Sequence, residues 1–76
     1  MRIISQDGCV DLNYALFCVS VSNKGEILAE CNDNIYKVAK YSNKYVALDA
    51  LKLMRAAYEI GTRVFKLPEE EEIPFK

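Results

Sequence analysis

The stretch YSNKYVALDALKLMRAAYEIG, residues 41–61, constrains the fold more than any other, because it reads as one capped helix with more apolar surface than a lone element can bury. Ser42 stands at the N-cap position, where a hydroxyl oxygen accepts from an orphaned amide, and Gly61 stands where a left-handed residue releases the chain. With helical periodicity, Val46, Ala47, Ala50, Leu51, Leu53, Met54, Ala57, Tyr58 and Ile60 spread over about half the circumference. Lys44, Asp49, Lys52, Arg55 and Glu59 share the other half, with Leu48 among them. A sheet face needs a stripe of only about 100°, so the remaining apolar surface is expected to meet a second one. Val46, Ala50, Leu53, Ala57 and Ile60 are the expected oligomer interface, since small residues along that row permit close approach.

The segments before the helix read as strands and turns. Residues 2–5 are β-branched and short, and Gln6-Asp7-Gly8 ends them with turn chemistry. Residues 9–14 are ambiguous, whereas residues 15–22 alternate, with Phe17, Val19 and Val21 on one face and Cys18, Ser20 and Ser22 on the other. Asn23-Lys24-Gly25 places glycine where a left-handed residue closes a bulged hairpin, residues 26–31 return antiparallel, and Asn32-Asp33-Asn34 turns the chain into residues 35–41. Residues 64–67 form a last short strand, stopped by Pro68, which cannot donate to a ladder. The expected fold class is α+β: an antiparallel β-meander with one amphipathic helix packed on one face, in the order β-β-β-β-α-β. Residues 1–68 make the domain and residues 69–76 an acidic, solvated C-terminal tail.

A chain of 76 residues holds one domain, and at that size a single core is only marginally sufficient. Disulfides do not answer the shortfall: Cys9, Cys18 and Cys31 are an odd number without framework spacing, which fits a reducing cytoplasm and packing as small hydrophobes. Self-association does answer it, and a homo-oligomer is the expected state. Ten basic and eleven acidic side chains give a net charge of −1, so there is no general attraction to nucleic acid or to anionic lipid. No run approaches the length of a membrane span, and the first ten residues lack the apolar core of a signal peptide.

Histidine is absent, which removes Ser/His/Asp and Cys/His catalysis and leaves zinc or copper with almost no ligands. Neither a phosphate-binding nor a dinucleotide glycine motif occurs. A non-enzyme without cofactor or metal is therefore expected. One mixed patch carries a functional reading: Arg55, Lys52 and Lys44 on the open helix face, with Lys37, Lys40, Tyr36, Tyr41 and Tyr45 near its start. Cations beside aromatic rings suit a small anionic ligand carrying a base, through phosphate contacts and stacking. Lysine alternating with tyrosine also describes an ordinary half-exposed strand.

The opening MRIISQDG, followed by Asp11-Leu12-Asn13-Tyr14, resembles a family of small phage and prophage proteins of Gram-positive bacteria, whose members commonly begin with an ISQDG-like segment and a D-L-P-Y-E-like turn. ALDALKLMRAAY, residues 47–58, looks like that family's helix, and Phe65-Lys66-Leu67-Pro68 with the glutamates after it looks like its ending. Asn13 and Ala15 depart from the pattern, standing where proline and glutamate are usual. The resemblance implies a phage-derived accessory protein in a bacterial host cytoplasm. Such proteins often counter host immunity, so the expected role is an anti-defence protein that sequesters a small anionic, cyclic nucleotide signal. The alternative is an inhibitor or adaptor that docks on a host protein through a strand edge or the acidic tail.

Overall fold

The computed structural model describes residues 1–73. In chain order it contains β1 (Arg2–Ile4), β2 (Asp11–Asn13), β3 (Cys18–Val21), β4 (Glu26–Cys31), β5 (Asn34–Lys40), α1 (Lys44–Glu59) and β6 (Val64–Lys66), with single 3-10 turns at Tyr14–Leu16 and Glu70–Glu72. The α+β class and the meander are as expected, and the ambiguous segment supplies an additional strand, β2. Instead of one sheet there are two of three strands each, ordered β3-β4-β5 and β2-β1-β6. In the second, β1 is antiparallel to β2 and parallel to β6. The parallel pair needs a crossover, and the meander with α1 provides it.

Turn chemistry sets the meander's register. Asn32 and Asp33 take φ of 50° and 70°, a pair of left-handed residues closing a two-residue loop between Cys31 and Asn34. At the other hairpin Gly25, at φ 85°, follows a turn in which its amide donates to Ser22 O. A Cβ on Gly25 would come within 2.6 Å of Tyr41 O and 2.9 Å of Asn43 O, so glycine is required by close approach as well as by φ. Between Ile27 and Leu28 the register slips, and Val38 becomes the extra residue of a bulge in β5.

The helix caps partly correct the sequence reading. Asn43, not Ser42, is the N-cap: its side-chain oxygen accepts from Tyr45 N and Val46 N. Ser42 instead donates its amide and its hydroxyl to the Glu70 carboxylate, 2.8 Å each, placing an anion at the positive end of α1. At the other end Gly61 N donates to Tyr58 O and Thr62 N to Ala57 O, the paired bonds of a left-handed glycine cap.

One core holds the inward residues of both sheets and of the helix: Ile3 and Leu12, Ile27 and Ala29, and Val46, Ala47, Ala50 and Met54 belong to the same cluster. Part of the helix's apolar surface is therefore covered within the chain itself, by a core to which both sheets contribute. Ile73 and Leu67 are buried in that cluster too, and the Glu69–Glu72 stretch forms a reciprocal cap in which Glu69 N donates to the Glu72 carboxylate. The segment expected as a solvated tail thus folds back onto the body as far as Ile73, and residues 74–76 of that expected tail lie outside the described residues. Two of the three cysteines also differ from expectation: Cys9 and Cys18 are exposed rather than packed, because Cys18 sits on the outward face of β3 and Cys9 in the β1–β2 connection.

Candidate functional site

Arg55 lies on α1 one turn beyond Leu51, and together they border a cleft whose other walls are Tyr14, Phe17 and Val19. Each wall is held by a different device. The Tyr14 amide donates to Met1 O, and its ring packs at a tilt against Tyr58 of the helix, with centroids 5.1 Å apart. The Asn13 side chain caps the 3-10 turn by accepting from Ala15 N at 3.0 Å. Phe17 stands edge-on to Tyr36 with ring centroids 6.0 Å apart, and Val19 presents the inward face of β3. The cleft measures about 380 Å³, within the range of small-ligand sites, about 300–1,000 Å³. Among the described residues, the Arg55 guanidinium makes no ion pair or hydrogen bond. An unpaired planar cation over an aromatic, apolar cleft is equipped to hold a carboxylate or phosphate at the rim and a flat ring inside.

The eight residues expected to form one patch are divided. Lys52 joins Arg55 in a neighbouring shallow cleft with Ala56 and Glu59. Lys44 lies 5.4 Å from the ring centroid of its neighbour Tyr45. Lys37 and Lys40 line a separate cleft with Gln6 and Asp7, where the Lys40 ammonium donates to Lys24 O at 2.6 Å and Lys37 Nζ stands 3.9 Å from the Glu26 carboxylate. Beside them the Asp7 carboxyl is held below the usual carboxylate range by hydrogen bonds from the Ser5 hydroxyl and then the Cys9 amide. Tyr36 faces a further cleft lined by Cys9, Val10, Asp11, Leu12 and Phe17.

Tyr41 is a correction. It is 2% exposed, its hydroxyl donates to Pro68 O at 2.7 Å, and it belongs to the core rather than to a binding surface. Burial, helped by the nearby carboxylates of Glu69, Glu70 and Glu72, pushes its phenol up to about 12. The expected oligomer interface is corrected likewise: Val46 and Ala50 face the chain's own core, Leu53 and Ala57 are half-buried, and Ile60, at 82%, is the well-exposed member of the five. Tyr14, Phe17, Val19 and Leu51 were not anticipated as site walls. Their convergence depends on the Tyr14–Leu16 turn reaching the helix, which no local pattern reveals.

In comparisons with known proteins, no family model matches this chain, and no curated protein or solved structure matches it either. Among the described residues no group of three or more metal-ligating side chains gathers, and no helix is long and apolar enough to cross a membrane.

Proposed function

We infer that this chain is a non-enzymatic accessory domain, of the phage or prophage kind its sequence resembles, that acts in a bacterial cytoplasm by sequestering a small anionic nucleotide signal. The reading rests on one observation, the unpaired Arg55 guanidinium at the rim of the Tyr14–Phe17–Val19–Leu51 cleft. The site is accordingly smaller than the sequence suggests: Arg55 supplies the anion contact, Lys52 reinforces the positive field, and the aromatic walls accept the base. Self-association has to move to the C-terminal end of the helix around Ile60, since Val46 and Ala50 are spent internally. Docking through the acidic tail loses support, because Glu70 serves Ser42 and Ile73 is in the core.

Calorimetry with a panel of cyclic dinucleotides, cyclic trinucleotides and cyclic ADP-ribose isomers tests this reading. A member of the panel is expected to bind, Arg55→Glu to abolish that binding, and Lys40→Glu, in a different cleft, to leave it intact. Flat titrations across the panel, or binding indifferent to Arg55→Glu, would retire the proposal.

A further inference from the structure

The two halves of β5 differ in what their outer edge meets. In the register with β4, Asn34 and Tyr36 face Cys31 and Ala29 as hydrogen-bonded pairs, so Ile35 and Lys37 turn their amides and carbonyls away from β4. Further along, the outward groups are taken: Gln6 N donates to Val38 O at 2.7 Å, and Lys40 N donates to Gln6 Oε1 at 3.0 Å. Gln6 thus occupies this part of the edge with its backbone amide and its side-chain carbonyl. Among the described residues nothing pairs with the outer edge of residues 34–37, and Ile35 is 61% exposed on the outward face of the sheet. On the opposite face, Tyr36 borders the cleft lined by Cys9, Val10, Asp11, Leu12 and Phe17, about 340 Å³ in volume.

The geometry points to residues 34–37 as a docking edge for an extended segment of a partner protein, added antiparallel to β5 with the pattern acidic, apolar, apolar from its N-terminus. Each position has its own reason. The residue opposite Lys37 faces an ammonium that is mostly exposed and only loosely paired with Glu26, so a carboxylate there completes a cross-strand pair. The residue opposite Tyr36 points to the cleft face, where a side chain of leucine or phenylalanine size meets Val10, Leu12 and Phe17. The residue opposite Ile35 lies on the outward face, where a β-branched side chain covers exposed isoleucine. The first and third residues exchange backbone hydrogen bonds with Lys37 and Ile35, while the amide of the middle one points outward. Gln6 bounds the edge at one end and the Asn32-Asp33 turn at the other, so the recognised core is short. Main-chain bonds supply the affinity and alternate side chains the selection.

The test leaves the protein unaltered and modifies a probe, a capped eight-residue peptide centred on Glu-Leu-Val, titrated into the labelled chain by NMR. Shifts are expected at the Ile35 and Lys37 amides and at Tyr36. N-methylation of the valine, whose amide bonds Ile35 O, should weaken binding by about tenfold or more, whereas N-methylation of the leucine should not. Replacing the leucine with aspartate should weaken it comparably. No binding at millimolar peptide, equal sensitivity to both N-methylations, or shifts confined to the Arg55 cleft would overturn the proposal. So would a dimer in light scattering whose interface maps to β5, since the edge would then be occupied by a second copy.

Discussion

Residues 34–37 and residues 38–41 form two halves of one strand segment with the same texture of lysine, tyrosine and small apolar residues, yet their environments are opposite. In the first half Ile35, Tyr36 and Lys37 are exposed and the edge is open; in the second Val38, Ala39 and Tyr41 are buried and every outward backbone group described above has a partner. The partners come from far along the chain: Gln6 from the β1 end, Gly25 O for the Tyr41 amide, and Pro68 O for both the Tyr41 hydroxyl and Gln6 Nε2. Local pattern assigns a strand, but contacts between residues distant in the chain, such as Gln6 with Val38 and Lys40, decide which part of it is structural and which is available.

That contrast predicts unequal responses to substitution. The largest belongs to Gly25→Ala, which both strains a left-handed residue and drives a Cβ into the backbone of Tyr41 and Asn43; a loss of at least about 3 kcal/mol is expected in urea unfolding. Tyr41→Phe keeps the shape and removes the hydroxyl donor, leaving Pro68 O with Gln6 Nε2 at 3.2 Å, for a loss of about 1–2 kcal/mol. Glu70→Ala removes the acceptor for Ser42 at the start of α1, and the helix should lose about 1 kcal/mol, read in the same unfolding curve. Smallest of all, Lys37→Ala in the open half should fall within about 0.5 kcal/mol of the parent. A large cost at Lys37, or none at Tyr41, would break the comparison.

Alkaline unfolding sharpens it. The folded Tyr41 phenol titrates near 12, above its ordinary value near 10, because burial disfavours the phenolate. Its contribution to stability is fully present below the unfolded value and is lost as pH rises through the folded one. Chemical denaturation should therefore show stability falling from about pH 10 toward pH 12, and Tyr41→Phe should flatten that fall. An identical slope in the two proteins would remove Tyr41 from the account.

The class, the meander, both hairpin turns, the helix and its glycine stop were legible, because each depends on a few adjacent residues whose φ preference or periodicity speaks for itself. Gly25, Asn32-Asp33 and Gly61 are of this kind. Less legible were the features made by distant pairs. The strand at Asp11–Asn13 carries no strong alternation and exists because β1 pairs with it. Ser42 was the expected helix cap, but Asn43 fills that role and Ser42 instead bonds Glu70, far along the chain. The apparent surplus of apolar helix surface was real in sequence, but Val46, Ala47, Ala50 and Met54 are buried in a core to which both sheets contribute, and the parallel β1–β6 pair of the second sheet could not be read from local pattern. For the same reason Arg55 was anticipated as a site residue while the walls of its cleft were not.

Residue-resolved amide hydrogen exchange examines the division of β5 most directly. The account predicts fast exchange at Ile35 and Lys37, protection at Tyr36 between them, and strong protection at Lys40 and Tyr41, whose amides donate to Gln6 and Gly25. Uniform protection along residues 34–41, or rapid exchange at Lys40 and Tyr41, would contradict it.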